Sequence, residues 1–156
     1  MSSTETNPVV AEFAACFPKM AEELGRQNLE SLLEGASEQE YPAGRTLIRD
    51  RMPVDYLYFV LSGTLSAYIE EDGNSMLIAS IKPGEWMGEI SVLSGEFMAS
   101  ATIITNTPCK LVRVHHLTFE KLIAENETVA KVLLDHFIRL MAERFRAPLS
   151  HPQASK

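Results

Sequence analysis

Between Val9 and Gly35 the apolar residues Val9, Val10, Phe13, Phe17, Met20, Leu24, Leu29, Leu32 and Leu33 recur mostly at three- to four-residue steps. That period places them on one face of a helix, so it predicts amphipathic helices, broken near Pro18 and Gly25. From Gln39 to Val114 the pattern changes to short β-branched and aromatic runs punctuated by Gly44, Pro53, Gly63, Gly73, Pro83, Gly84, Gly88, Gly95 and Pro108. Such runs read as strands joined by turns. Asp72-Gly73 stands between two of them and predicts a hairpin, because both central residues of a type I′ turn need positive φ. After Val114 the helical period returns. Thr118 can cap a short helix through Glu125, and Asn126 a second one to about Arg146. Pro148 is expected to stop it, since proline removes a donor and pushes Ala147 out of helical geometry. The order helices, strands, helices predicts an α+β, mainly β chain built on a closed antiparallel roll, because closure limits exposed edges.

The division expected from these patterns is a disordered N-terminus at 1–8, one domain at 9–147 and a disordered tail at 148–156. Within the domain, 9–36 is helical, 39–114 forms the roll and 118–146 is helical again. On the last helix Val129, Val132, Leu133, Leu134, Phe137, Ile138, Leu140, Met141 and Phe145 exceed one apolar stripe. A helix packing only on its own roll needs one face, so the surplus predicts deep burial or a partner. Leu133, Phe137 and Met141 are the candidate contacts for a homodimer or protein partner through helix 126–146.

Composition narrows the function. The 156 residues, 46% hydrophobic and 22% charged, suit one globular domain. Fourteen Lys and Arg against 21 Asp and Glu leave a net charge of −7, which repels phosphate backbones. Cys16 and Cys109 fit no CxxC or Cys/His metal spacing and no disulfide framework, so a reducing compartment is expected. No apolar run reaches the roughly 20 residues of a membrane span, and Met1 to Asn7 lacks the features of a signal peptide. The expectation is a soluble, cytoplasmic protein with no membrane association.

Four segments carry a family resemblance: YPAGRTLIRDRMPVDYLYFVLSGTLSAYI, IKPGEWMGEISVLSG, ASATI and LTFEKLIAENETVAKVLLDHFIRLMAERFR. Together they resemble the cyclic-nucleotide-binding domain family, that of the bacterial catabolite activator protein and of kinase A regulatory subunits. The resemblance runs from about Met20 to Arg146 and implies a jelly-roll-like β-roll of about eight strands flanked by N- and C-terminal helices. It also implies a phosphate-binding cassette where Gly84 to Thr102 fall. There Gly88 matches the glycine that lets backbone approach the ligand, and Glu89 matches the ribose-binding acid. Ile90 to Gly95 matches a short helix whose N–H groups face the phosphate. Ser100 and Ala101 match the small residues that donate a hydroxyl and an N–H. The family's phosphate-binding arginine falls at Ala99, or at Met98 when counted from Gly88 without a gap. No Lys or Arg occurs between Lys82 and Lys110. A charge-assisted hydrogen bond is worth about 1.5–3 kcal/mol, so cyclic AMP and cyclic GMP are expected to bind weakly or not at all. The activator branch also carries a helix-turn-helix domain. Only Ala147 to Lys156 follow the last helix here, so no direct nucleic-acid binding is expected.

Other chemistry finds little support. His115-His116 on a strand would point to opposite faces and not chelate one ion, and His136 reads as a surface or interface residue. The H-x-H pattern of metal-dependent cupins is missing, and no metal is expected. Lys110 could lower the pKa of Cys109, but no His or Asn partner is evident by spacing, and a structural thiol is the simpler reading. Glu89 fits ligand binding better than acid–base catalysis. No catalytic residue and no cofactor are assigned. The expected function is a non-catalytic regulatory or sensory domain whose small-molecule pocket lacks the arginine, the ligand being a cyclic nucleotide or another small molecule. The alternatives are a ligand-free protein-interaction module of the same fold and, third, a β-roll enzyme.

Overall fold

A computed structural model describes residues 8–88 and 101–150, apart from the side chains of Met141 and of 144–150. Two helices lead, α1 (Pro8–Cys16) and α2 (Pro18–Glu34). Pro18 opens α2, where its missing N–H costs nothing, and Gly25 leaves helical geometry at φ 81° and ψ 162°, so α2 kinks. Eight described strands follow: β1 (Ala36–Tyr41), β2 (Thr46–Ile48), β3 (Tyr56–Ser62), β4 (Leu65–Glu71), β5 (Asn74–Ile81), β6 (Trp86–Met87), β7 (Thr102–Thr105) and β8 (Cys109–His115). Two helices close the chain, α3 (His116–Glu125) and α4 (Glu127–Ser150).

The strands form two antiparallel four-stranded sheets, ordered β1-β8-β3-β6 and β2-β7-β4-β5. Their faces explain the apolar run of β3. Leu57, Phe59 and Leu61 point outward into a core shared with Phe13, Met20, Leu32 and Leu133 of the helices. Tyr58 and Val60 point inward, against Leu65, Ala67, Ile81 and Ile103 of the other sheet. A strand buried on both faces loses the usual polar alternation. Aromatic rings bind the helices to the sheet: Phe13 stacks on Phe17 at 4.6 Å and meets Phe59 edge-on at 5.3 Å, while Phe59 stacks on Trp86 at 5.1 Å. Each such buried ring contributes about 1.5–3 kcal/mol by leaving water. The fold is the expected antiparallel β-roll with flanking helices, and the β4–β5 turn has Asp72 at φ 55° and Gly73 at φ 80°, as a type I′ hairpin requires.

Element ends differ from the sequence patterns in three places. β1 begins at Ala36, because strand pairing with Val114 extends it beyond Gln39. α3 starts at His116, capped by His115, whose Nδ1 accepts from the Leu117 N–H at 3.1 Å; Thr118 lies inside the first turn. Asn126 does cap the last helix, accepting from the Val129 N–H at 3.1 Å. That helix continues through Pro148 to Ser150, so proline does not stop it where the sequence pattern expects. Residues 1–7 and 151–156 lie outside the described residues.

The surplus apolar surface of α4 is divided differently from expectation. Leu133 is 2% exposed and packs in the chain's own core, so it is not free to meet a partner. Phe137 is partly buried against the same core, and the Met141 side chain lies outside the described residues. One residue on, a turn of about 100° carries the next side chain away from the core. Leu134 and Ile138 are accordingly the exposed ones, at 50% and 55%.

Candidate functional site

β6 brings the chain to the candidate pocket. It is launched by the turn Lys82-Pro83-Gly84-Glu85, in which the Glu85 N–H donates to the Lys82 carbonyl at 3.1 Å and Gly84 holds φ 89°. Proline second and a left-handed glycine third are what a type II turn demands. The Glu85 carboxylate accepts from the Lys82 N–H at 3.2 Å, closing the turn. β6 then pairs with β3, Trp86 opposite Phe59 and Met87 opposite Tyr58. Trp86 faces the helices and Met87 the roll interior.

Gly88 ends this segment at φ 87°. A Cβ there would stand 2.6 Å from the Tyr56 carbonyl oxygen, so only glycine lets the chain pass this close to β3. Ala101 packs partly buried against the inner core. Glu89, Ile90, Ala99 and Ser100, and the short helix expected from Ile90 to Gly95, lie outside the described residues. The inner wall is apolar, built of Val54, Val60, Leu65, Ala67, Ile81 and Ile103, with Ser66 bound to Asn106 at 3.0 Å.

Sequence reasoning missed one residue here. Arg113 of β8 stands opposite Tyr58, on the inward row after Cys109 and Leu111. Its guanidinium stacks 4.3 Å from the Tyr56 ring centre, stands beside the Tyr58 phenol and reaches Ser37 Oγ at 3.4 Å. Tyr56 thus meets Gly88 through its carbonyl and a cation through its ring. Strand alternation along β8 carries the signal, but its distance from the cassette in sequence hides it. Burial pushes the Tyr58 phenol up to about 12, with Tyr41 adding to the rise and the Arg113 charge opposing it.

The other candidates settle into structural contacts. Cys109 is 3% exposed, and burial raises its pKa. Lys110 does not activate it: alternation sends that ammonium to the opposite face, where it pairs with Glu12 at 2.9 Å and Glu38 at 3.2 Å. His115 and His116 do not diverge as strand neighbours would, because the strand ends between them. Their rings stack at 4.7 Å, and His116 Nδ1 lies 3.0 Å from Glu120. His136 Nε2 lies 3.1 Å from Glu23 and joins α4 to α2. Among the described residues no three His, Cys, Asp or Glu side chains converge as a metal site would need, and no helix is long and apolar enough to cross a membrane.

Comparison with known proteins fits this geometry. The chain is 26% identical over 119 residues to the cAMP-activated global transcriptional regulator CRP of Pasteurella multocida, covering 76% of this chain and 55% of that protein. It is 27% identical over 123 residues to the CRP-like protein Clp of Xanthomonas oryzae, covering 78% and 53%. The chain therefore spans about half the length of the curated relatives it matches. Among solved structures, a cyclic nucleotide-binding domain from Methylobacillus flagellatus superposes with a TM-score of 0.80 at 18% identity, over 95% of this chain and 84% of that one. The regulatory domain of Toxoplasma gondii PKA, solved with cAMP, gives 0.68 at 22% identity, over 76% and 46%. These likenesses show the fold. They also correct the expectation of no direct nucleic-acid binding: the curated relatives are transcriptional regulators about twice as long as the matched span, so neither the acidity of this chain nor its short tail bears on that role. The cyclic nucleotide-binding domain model matches residues 38–126, more than half of the sequence, and the chain belongs to that family.

Proposed function

We propose that residues 9–147 form one non-catalytic regulatory domain, cytoplasmic in setting, that takes a small anionic ligand of the cyclic-nucleotide class in a pocket lacking the family's phosphate-binding arginine. The observation that carries this reading is Gly88, left-handed and pressed against the Tyr56 carbonyl at the mouth of an apolar roll interior. An apolar wall suits the faces of a base and sugar, while polar groups fix orientation. Glu89, Ile90, Ser100 and Ala101 are proposed to contact the ligand, with Ala99 or Met98 at the vacated arginine position. Arg113 beside Tyr56 supplies positive charge at the same end of the roll. The names of the relatives support a nucleotide signal: one is cAMP-activated, and a regulator from Xanthomonas campestris is described as c-di-GMP responsive.

Titration calorimetry with cyclic AMP, cyclic GMP and cyclic di-GMP tests this. Weak or no binding of the two mononucleotides is expected in the unaltered chain. Ala99→Arg should strengthen their binding about 10- to 150-fold, the worth of a charge-assisted hydrogen bond, with Met98→Arg as the control for register. Tight cyclic AMP binding without the substitution would refute the altered pocket. No binding of any probe by either folded arginine variant would favour the second reading, a ligand-free protein-interaction module, which rests on the exposed Leu134 and Ile138.

A further inference from the structure

A cavity lies on the other side of the β1-β8-β3-β6 sheet from the roll interior. It is a half-open hollow bordered by the start of α2, the Lys82–Trp86 turn and the later turns of α4, with a volume of about 290 Å³. Its floor is apolar and fixed: Phe17, Met20, Trp86 and Leu140 are each 7% exposed or less and belong to the helix-side core. Its rim is polar and open to water, carrying Lys82, Glu85, Arg139 and Glu143 together with His136, which is held by Glu23.

The two cations are not used equally with the two acids. Glu85 is engaged by the Lys82 backbone N–H at 3.2 Å. Among the described residues Arg139 makes one ion pair, 3.9 Å to Glu23, whose other oxygen is taken by His136 at 3.1 Å, and its side chain stays 50% exposed. The Lys82 ammonium pairs with no carboxylate among the described residues. With two cations against two acids on the rim, a polyanion gains little there, whereas one carboxylate can take the free donors of Arg139 and Lys82. The volume stands at the small end of ligand pockets, roughly 300 Å³, which suits a fragment-sized ligand.

From these features we infer that this cavity binds a small amphipathic monocarboxylate, its apolar body on Phe17, Met20, Trp86 and Leu140 and its carboxylate between Arg139 and Lys82. The site is independent of the roll interior but linked to it. Trp86 stacks on Phe59 on the helix side, Met87 faces the roll and Gly88 follows. An occupant would therefore press on α4 and on the strand that delivers Gly88 at once.

Trp86 is the chain's single tryptophan, so its emission reports directly on the cavity. Phenylacetate is titrated into the whole chain to millimolar concentration, with phenylacetamide as the uncharged twin. A saturable change in Trp86 emission is expected with phenylacetate, at least about tenfold weaker with phenylacetamide and in Arg139→Gln, as loss of a charge-assisted bond requires. Arg139 is half-exposed, so the variant is expected to fold; should its circular dichroism show otherwise, Lys82→Gln makes the same test. No saturable change, an equal response to the amide, or full binding by the folded Gln variant would each overturn the assignment. Because cyclic nucleotides are absent from this titration, its failure leaves the reading of the roll interior unaffected.

Discussion

Three glycines with the same backbone sign differ in what surrounds them, and replacing each by alanine separates conformation from packing. Gly73, Gly84 and Gly88 have φ 80°, 89° and 87°. An added Cβ meets nothing within 4 Å at Gly73, the Cys16 carbonyl oxygen at 3.1 Å at Gly84, and the Tyr56 carbonyl oxygen at 2.6 Å at Gly88. The left-handed backbone alone costs an L residue about 1–2 kcal/mol, and Gly73→Ala should lose that much and no more. Gly88→Ala adds an overlap with a carbonyl of β3, which cannot move without disturbing the ladder between β3 and β8. Overpacking costs about 1–3 kcal/mol, so the total is about 2–5 kcal/mol. Gly84→Ala should fall between. At this chain length each kcal/mol lowers Tm by roughly 2–4 °C, so the series is readable by calorimetry or denaturant unfolding. Equal losses at Gly73 and Gly88 would refute the close approach of Gly88 to Tyr56, and with it the argument that this glycine is demanded by the site.

Substitutions on α4 distinguish its two apolar sides. Leu133→Asp should cost about 3–5 kcal/mol by emptying a core position and burying a charge, whereas Ile138→Asp, already 55% exposed, should stay within about 0.5–1 kcal/mol; similar losses in thermal melts would refute the burial of Leu133. Alkaline unfolding should carry a signature of Tyr58. The folded chain holds its phenol neutral to about 12 while an unperturbed phenol ionises near 10.0, so this stabilisation is complete below pH 10 and lost as pH rises to about 12. Two pH units correspond to about 3 kcal/mol. Tyr58→Phe should flatten the stability profile between pH 10 and 12, and an unchanged slope would contradict a buried phenol. Cys109 in the folded chain should resist an aromatic disulfide reagent at neutral pH and react once urea unfolds the protein, since burial both shields the thiol and disfavours its thiolate.

Periodicity was enough to place the helices and strands because each element must bury one stripe or one row, and that demand is written locally. The breaks at Pro18 and Gly25, the hairpin at Asp72-Gly73 and the cap at Asn126 are equally local, each a matter of one residue's backbone or side-chain reach. The glycine at position 88 was legible through resemblance, but its reason, a carbonyl of β3 lying where a Cβ would be, exists only once β6 has paired with β3. The same holds for Arg113. It lies 25 residues after Gly88 in the sequence and reaches the same tyrosine because β8 and β6 flank β3. Local rules failed where a neighbour decided: strand pairing drew β1 back to Ala36, the strand-to-helix junction stacked two histidines that alternation would have parted, and the packing of α4 on α2 turned Leu133 inward and left Leu134 outside. A sequence states which side chains must leave water; which ones meet depends on how rigid elements, each satisfying its own backbone hydrogen bonds, fill the same space.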